Sequence, residues 1–314
     1  MFKGHPVTAI TPAGRKQYLE VLAPYILRDR HIFDEWMIWV NTPHKEDIEY
    51  IQRLRDSFPG FVRLVFHAGN ITRKMPQPHF FPTACDPGRL YIKFDDDICY
   101  VHENAVNNLL EFRLREVNPL IVVSNTVCNG ICSYLHQKHG AQTFHINGKY
   151  ERIAPDFDNK VGVDARFAEY THKTFIDDYF KGEIQKYLFD QWVLEFYQRI
   201  AINCIAWTGD DFAKFNGLMD DHYDEEAWLC SIKPRDGDHK NSICGNSLVS
   251  HFAFYRHRKP FCSGPEIDNR ILRAYRLISM RECPKEAREV FSIDVLPATS
   301  EKAIRNAMVY KLLI

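Results

Sequence analysis

The sequence predicts an α/β protein, a mixed and mostly parallel sheet flanked by helices, on three observations. Short runs such as Trp36-Met37-Ile38-Trp39-Val40, Phe61-Val62-Arg63-Leu64-Val65-Phe66 and Leu120-Ile121-Val122-Val123-Ser124 are almost wholly apolar, the pattern of strands buried on both faces. Helix-like stretches separate these runs, as in successive βα units. One run, Tyr91-Ile92-Lys93-Phe94, ends in Asp95-Asp96-Asp97 and then Ile98, which puts three carboxylates at a strand end where open α/β sheets collect ligands.

Taken in order, Val7-Thr8-Ala9-Ile10 reads as the first strand and 15–28 as a helix bent at Pro24. Thr11-Pro12-Ala13-Gly14-Arg15 is the turn between them, and a Gly-Arg turn of that kind offers backbone N–H groups and a guanidinium to a pyrophosphate. Trp36 to Val40 is the second strand and Asn41-Thr42-Pro43 its turn. The segment 45–57 is an amphipathic helix with Ile48, Ile51 and Leu54 on one face. After the third strand, 61–66, Pro76, Pro78, Pro82 and Pro87 make 67–89 a loop leading into the aspartate run. The segment 103–116 reads as a helix and 120–124 as another buried strand. Between 141 and 180 the pattern turns irregular, with Phe144, Tyr150, Phe157, Phe167, Tyr170 and Phe175 among polar residues, and reads as a lid or an acceptor-binding insertion. The segment 183–199 looks helical, with Ile184, Tyr187, Leu188, Trp192 and Phe196 on its apolar side.

Composition narrows the class. The 314 residues carry 45% apolar and 26% charged side chains with a net charge of -1, which gives no reason to expect nucleic acid or an anionic membrane as partner. No run approaches the roughly 20 apolar residues of a membrane span, so a cytoplasmic protein is expected. The nine cysteines form no Cys-x-x-Cys pair and are expected to be reduced thiols; Cys128 and Cys132, at helical spacing, read as packing residues.

Three adjacent carboxylates ask for a cation. Acids two residues apart on an extended chain lie on one side, roughly 7 Å apart, which costs about 2 kcal/mol at an effective dielectric near 20. A hard divalent ion such as Mg2+ or Mn2+ reverses that sign and in turn neutralises a substrate's phosphates. Capping of a helix starting near Val101 by Asp96 or Asp97 needs only one acid. A second acidic region holds Trp207-Thr208-Gly209-Asp210-Asp211-Phe212 and Asp224-Glu225-Glu226-Ala227-Trp228-Leu229. Acids beside aromatics lose hydration and gain basicity, so Asp211, Glu225 and Glu226 are candidate general bases, among which the sequence does not choose. His251 stands inside the apolar run Ser250-His251-Phe252-Ala253-Phe254.

Together, Ile10-Thr11-Pro12-Ala13-Gly14-Arg15, Trp39-Val40-Asn41-Thr42, Phe94-Asp95-Asp96-Asp97-Ile98, Asp224 to Leu229 and His251 to Phe254 resemble the GT-A glycosyltransferases, in particular those of bacteria and of large DNA viruses such as chloroviruses. The resemblance covers most of residues 5–258. It implies one Rossmann-like GT-A domain over 1–314, with a nucleotide-sugar half (1–128), an acceptor half (129–262) and a C-terminal extension (263–314), whose apolar end 303–314 is expected to dock on its own domain. It implies a divalent ion, Mn2+ or Mg2+, bound directly by Asp97, with Asp95 on the donor ribose or on the ion through water, and His251 completing the set and favouring Mn2+. Thr11, Pro12, Arg15, Asn41, Lys93, Asp95 and Asp96 then surround a nucleoside diphosphate sugar, expected to be UDP-linked. The expected activity is transfer of a monosaccharide to a glycan hydroxyl. His251 is followed by Phe, Ala and Phe, not by the rest of the His-x-x-Gly-x-x-Lys-Pro-Trp signature common in retaining members, which weighs towards inversion and a carboxylate base. Two other readings compete: a metal-dependent phosphoryl or nucleotidyl transferase, disfavoured by Ile98-Cys99-Tyr100 after the acids, and a noncatalytic glycan-binding module.

Overall fold

The computed structural model describes residues 1–66, 77–220, 222–252 and 265–285. The strands are β1 (Val7–Ala13), β2 (Glu35–Val40), β3 (Val62–Phe66), β4 (Leu90–Phe94), β5 (Ile98–Val101), β6 (Val122–Val127), the hairpin β7 (Phe144–Ile146) and β8 (Lys149–Glu151), then β9 (Gln191–Val193), β10 (Cys204–Thr208) and β11 (Ser242–His251). The helices are α1 (Lys16–Arg28), α2 (Lys45–Ser57), α3 (Ala105–Arg115), α4 (Gly130–Lys138), α5 (Lys160–Val163), α6 (Ala165–Lys181), α7 (Gly209–Ala213), α8 (Glu225–Ala227), α9 (Lys233–Asp236) and α10 (Pro265–Glu282). A π-helical segment, Trp228–Ile232, joins α8 to α9 without a break.

The nine-stranded sheet has the order β3-β2-β1-β4-β10-β6-β11-β5, with β9 also on β11. Strands β1, β2, β3, β4, β6 and β11 run one way and β5, β9 and β10 the other, so the sheet is mixed and mostly parallel, as expected. Its inner strands β1, β2, β4, β6 and β10 are buried on both faces, which is why they lack alternation, whereas β3 and β9 are partly exposed. Leu90, Ile92 and Phe94 of β4 pack in the layer that holds α1, α6 and α10, while Tyr91 joins Trp39, Phe81, Trp207 and Phe212 on the opposite face.

Only three residues separate β4 from β5, yet the two strands stand four places apart in the sheet. Four inter-strand steps would take about 19 Å across a flat sheet, whereas Phe94 to Ile98 can span at most about 14 Å. The sheet therefore curls. The register shift in β11 between Cys244 and Leu248 supplies a bend, and β5 pairs only with the far end of β11, Val249 to His251. This curl brings His251 over the end of β4.

Several expectations are corrected. The first strand continues through Thr11-Pro12-Ala13, which are strand rather than turn. The aspartate run joins two strands, and no helix starts near Val101; α3 begins at Ala105. In the loop expected over 67–89, Gln77–Thr83 form a 3-10 helix. The irregular stretch 141–180 ends in the 17-residue α6, whose Phe167 and Phe175, like Phe144 before it, are core residues rather than a sugar platform. The helix expected over 183–199 is a 3-10 turn (Ile184–Tyr187) followed by β9. No disulfide joins the described cysteines. Cys132 lies inside α4 and Cys128 ahead of it, both buried. The apolar end 303–314 lies outside the described residues.

Candidate active site

A cleft of about 990 Å³ opens at the carboxyl ends of β1, β2, β4 and β11, and the aspartate turn forms its floor. The three carboxylates have three different surroundings. Asp95 sits on the turn with its backbone N–H donating to the Asn203 carbonyl at 2.8 Å. Its side chain accepts from Lys93 Nζ at 2.5 Å on one oxygen and from Asn203 Nδ2 at 3.2 Å on the other. Asp97 pairs with His251 Nε2 at 3.1 Å and with Arg15 Nη2 at 2.8 Å. Its backbone carbonyl accepts from the Phe252 N–H at 2.8 Å. Asp96 turns the other way: it accepts from the Gly14 N–H at 3.1 Å and from the Arg15 guanidinium through Nε and Nη2.

The expected pyrophosphate cradle is thereby filled from within. Gly14 N–H goes to Asp96, and Lys16 N–H at the start of α1 donates to Asp47 Oδ1 at 2.8 Å, with Thr42 Oγ1 holding the other Asp47 oxygen at 3.0 Å. Gly14 itself is needed because a Cβ there would stand 2.9 Å from the Asn41 carbonyl. The turn's own donors are spoken for, and what it offers the cleft is the one-third-exposed Arg15 guanidinium, stacked on Tyr18 at 4.7 Å.

The Asp95 and Asp97 oxygens, together with His251, also suit an ion. One ligand atom each from Asp95, Asp97 and His251 lie within 4.8 Å of one another. Two carboxylate oxygens and an imidazole nitrogen are a donor set for Mn2+ or a similar borderline divalent ion, whereas Mg2+ prefers oxygen alone. The electrostatics agree. Burial works to raise the Asp97 carboxyl, but His251 and Arg15 outweigh it and hold it well below the usual range. Burial works against charge on His251, yet Asp97 and then Asp95 raise it above its ordinary value. Lys93, fully buried, is likewise kept charged against burial by Asp95.

Across the cleft, α8 starts with Asp224 as its N-cap, Oδ1 accepting from the Ala227 N–H at 2.7 Å. Arg199 Nη2 then ties the other Asp224 oxygen and Glu226 Oε2, both at 2.9 Å, while its guanidinium packs on the Phe157 ring at 4.5 Å. Burial raises the Glu226 carboxyl, with Arg199 opposing. Among the described residues Glu225 makes no side-chain hydrogen bond or ion pair, and it lines the cleft half-buried.

The structure therefore gathers most of the predicted residues: Pro12, Arg15, Asn41, Asp95, Asp96, Asp97, Glu225, Glu226 and His251 all line one cleft. Three lie elsewhere. Thr11 is buried and accepts from Trp36 Nε1 at 3.0 Å. Lys93 lies beneath the floor and reaches the cleft only through Asp95. Asp211 is not among the lining residues; it pairs with Arg113 and with Lys214 at 2.8 Å and accepts from Thr208 Oγ1 at 2.7 Å. Sequence reasoning missed Asn203 and Arg199. Asn203 gains its role only because β10 runs antiparallel to β4 and so begins where β4 ends, a pairing no local pattern reveals.

No family model matches the sequence, and no curated protein matches it. Solved structures do. The chain is similar to 4-diphosphocytidyl-2C-methyl-D-erythritol synthase from Anaerococcus prevotii, at 14% identity over 88% of this chain and 99% of that one, TM-score 0.43. It is similar to GalNAc-T7, solved with UDP, GalNAc and Mn2+, at 12% identity over 79% of this chain and 44% of that one, TM-score 0.48, so it spans less than half of that protein. It is also similar to residues 1–349 of S. aureus TarS, at 10% identity over 98% of this chain and 82% of that one, TM-score 0.43. Likeness at these scores carries no weight for function, which rests on the side chains described above.

Proposed function

We propose that this protein is a GT-A glycosyltransferase that moves a monosaccharide from a nucleoside diphosphate sugar, UDP-linked in our reading, to a glycan hydroxyl with inversion. The observation that carries the proposal is the convergence of Asp95, Asp97 and His251 at the floor of a cleft large enough for a nucleotide sugar. These three residues would hold Mn2+, whose Lewis acidity stabilises the negative charge of a departing diphosphate.

The other roles follow from position. Pro12 and Asn41 line the β1–β2 end of the cleft and face the nucleoside. Arg15, held by Asp96 and stacked on Tyr18, supplies a fixed positive charge beside the diphosphate. Asp96 is thus a positioning residue in this reading, not an ion ligand. Glu225 is the base that takes the acceptor's hydroxyl proton, because it faces the cleft with its carboxylate in no hydrogen bond or ion pair among the described residues. Arg199 holds Glu226 and the N-cap Asp224, which fixes the start of α8 and so the place of Glu225. The alignment of acceptor and donor in a partly enclosed cleft supplies much of the rate.

The two-ion form of the phosphoryl or nucleotidyl transferase reading loses support where Asp96 turns to Arg15 and Gly14, since a second ion would need that carboxylate. The test is hydrolysis and thermal stabilisation across UDP-, GDP-, CMP- and dTDP-sugars with and without Mn2+. Mn2+-dependent release of one nucleoside diphosphate is expected, and indifference to every nucleotide would contradict the proposal.

A further inference from the structure

Behind the cleft floor lies a chain of polar groups buried in the apolar core that the proposed reaction does not use. His172 Nδ1 of α6 meets the Tyr275 hydroxyl of α10 at 2.8 Å, and that hydroxyl meets Ser250 Oγ of β11 at 3.0 Å. Cys99 of β5 then donates its S–H to the Ser250 carbonyl at 3.3 Å. Tyr275, Ser250 and His172 have no exposed surface, and Cys99 has 1%. Burying four polar groups in a core is costly unless they bond one another, as these do, and a buried network bonded in this way holds its members rigidly.

What it fixes is both neighbours of His251. Ser250, immediately before it, is anchored through side chain and carbonyl, at the point where the β11–β5 register shifts. Phe252, immediately after, packs against the His172 ring at 5.5 Å and the Tyr18 ring at 5.5 Å, and donates its N–H to the Asp97 carbonyl. His172 thus touches both flanks, one through Tyr275 and one directly. Pinned on the α6–α10 side, Ser250 fixes the backbone from which His251, across the register shift, reaches Asp97 at 3.1 Å.

We infer that the His172–Tyr275–Ser250 chain is a positioning device for His251, locking its imidazole in the ion-binding orientation. The inference rests on the reading of His251 as an ion ligand and assigns α6 and α10, which are remote from the cleft, a part in metal affinity. Outer partners of metal-binding histidines typically change affinity by about 10- to 100-fold, and Tyr275 acts one residue removed.

The test is Mn2+ binding by the full chain, followed by electron paramagnetic resonance, with circular dichroism and thermal melting on the same samples. Tyr275→Phe removes one hydroxyl and keeps the ring; Ser250→Ala is the second variant should the first fold poorly. Either is expected to weaken Mn2+ binding about tenfold, and to have no further effect on it when made in a His251→Ala background. A lowered melting temperature with unchanged Mn2+ affinity, or equal weakening with and without His251, would overturn the inference and leave the chain a core stabiliser. Failure of the wild type to bind Mn2+ would overturn the ion reading itself, and this inference with it.

Discussion

The turn after β4 and the turn after β10 are both short, acidic and flanked by aromatics, yet they have opposite characters. At the second, every acid is answered. Asp211 is met by Arg113, Lys214 and Thr208, and Asp210 Oδ2 accepts from the Gly88 N–H at 2.9 Å. At the first, Asp95, Asp96 and Asp97 share two cations, Arg15 and Lys93, with the His251 imidazole beside Asp97. An acidic run is a structural cap where a cation or a backbone N–H is built opposite each acid, and a candidate ion site where three acids share two cations.

Five substitutions and one change of pH press on that contrast. The largest effect is expected from Asp97→Ala, which should weaken Mn2+ binding more than about a hundredfold, beyond the loss of an outer partner, and abolish turnover; Mn2+ titration and nucleotide release measure it. Glu225→Gln should lower kcat about 10²- to 10⁴-fold with Mn2+ affinity intact, whereas Glu226→Gln, at a carboxylate tied to Arg199 Nη2, should cost far less. The ratio of the two in steady-state kinetics decides which acid is the base.

At the other turn the expected loss is in stability. Asp211→Ala strands the buried Arg113 guanidinium and should cost about 3 kcal/mol in denaturant unfolding, with Mn2+ affinity unchanged within about twofold. An equal fall in Mn2+ affinity would erase the distinction between the two turns.

The smallest effect is a slope with pH away from both turns. His136 is fully buried, its Nε2 against the Asn125 side-chain oxygen at 2.7 Å, and Asn125 spends its N–H donors on the Tyr187 and Gly245 carbonyls. The imidazole must therefore donate through Nε2 and stay neutral at Nδ1, which has no partner. Burial, with a small addition from His139, lowers its pKa to about 3. The unfolded chain takes up that proton near pH 6.5, so the native state loses stability as pH falls below 6.5, by about 2 kcal/mol at pH 5. Unfolding titrations of wild type and His136→Gln should differ by that slope, and parallel curves would refute it.

Much of the sheet was legible because its strands are apolar on both faces: β2, β3 and β4 fall within a residue of expectation, and α2 occupies 45–57 as predicted. The failures have physical causes. Strand β5 is four residues long, too short for a period to show. Helix α6 was hidden because its buried stripe includes Thr171, His172 and Asp178, polar residues that break the apolar rhythm. The segment 183–199 mimics a helix because Ile184, Tyr187 and Leu188 recur at helical spacing, but Trp192 is claimed by pairing with Ile243 of β11. Of the site, the aspartates announced themselves, whereas His251 stands 156 residues beyond Asp95 and reaches it only through the curl of the sheet. The choice among Asp211, Glu225 and Glu226 needed the positions of Arg113 and Arg199, which no local pattern gives.

The most direct test of the central claim is the number of Mn2+ ions bound per chain, by electron paramagnetic resonance, in wild type, Asp97→Ala and Asp211→Ala. One ion in wild type, kept in Asp211→Ala and lost in Asp97→Ala, is the predicted result. No bound ion in wild type, or the same binding in all three proteins, would contradict it.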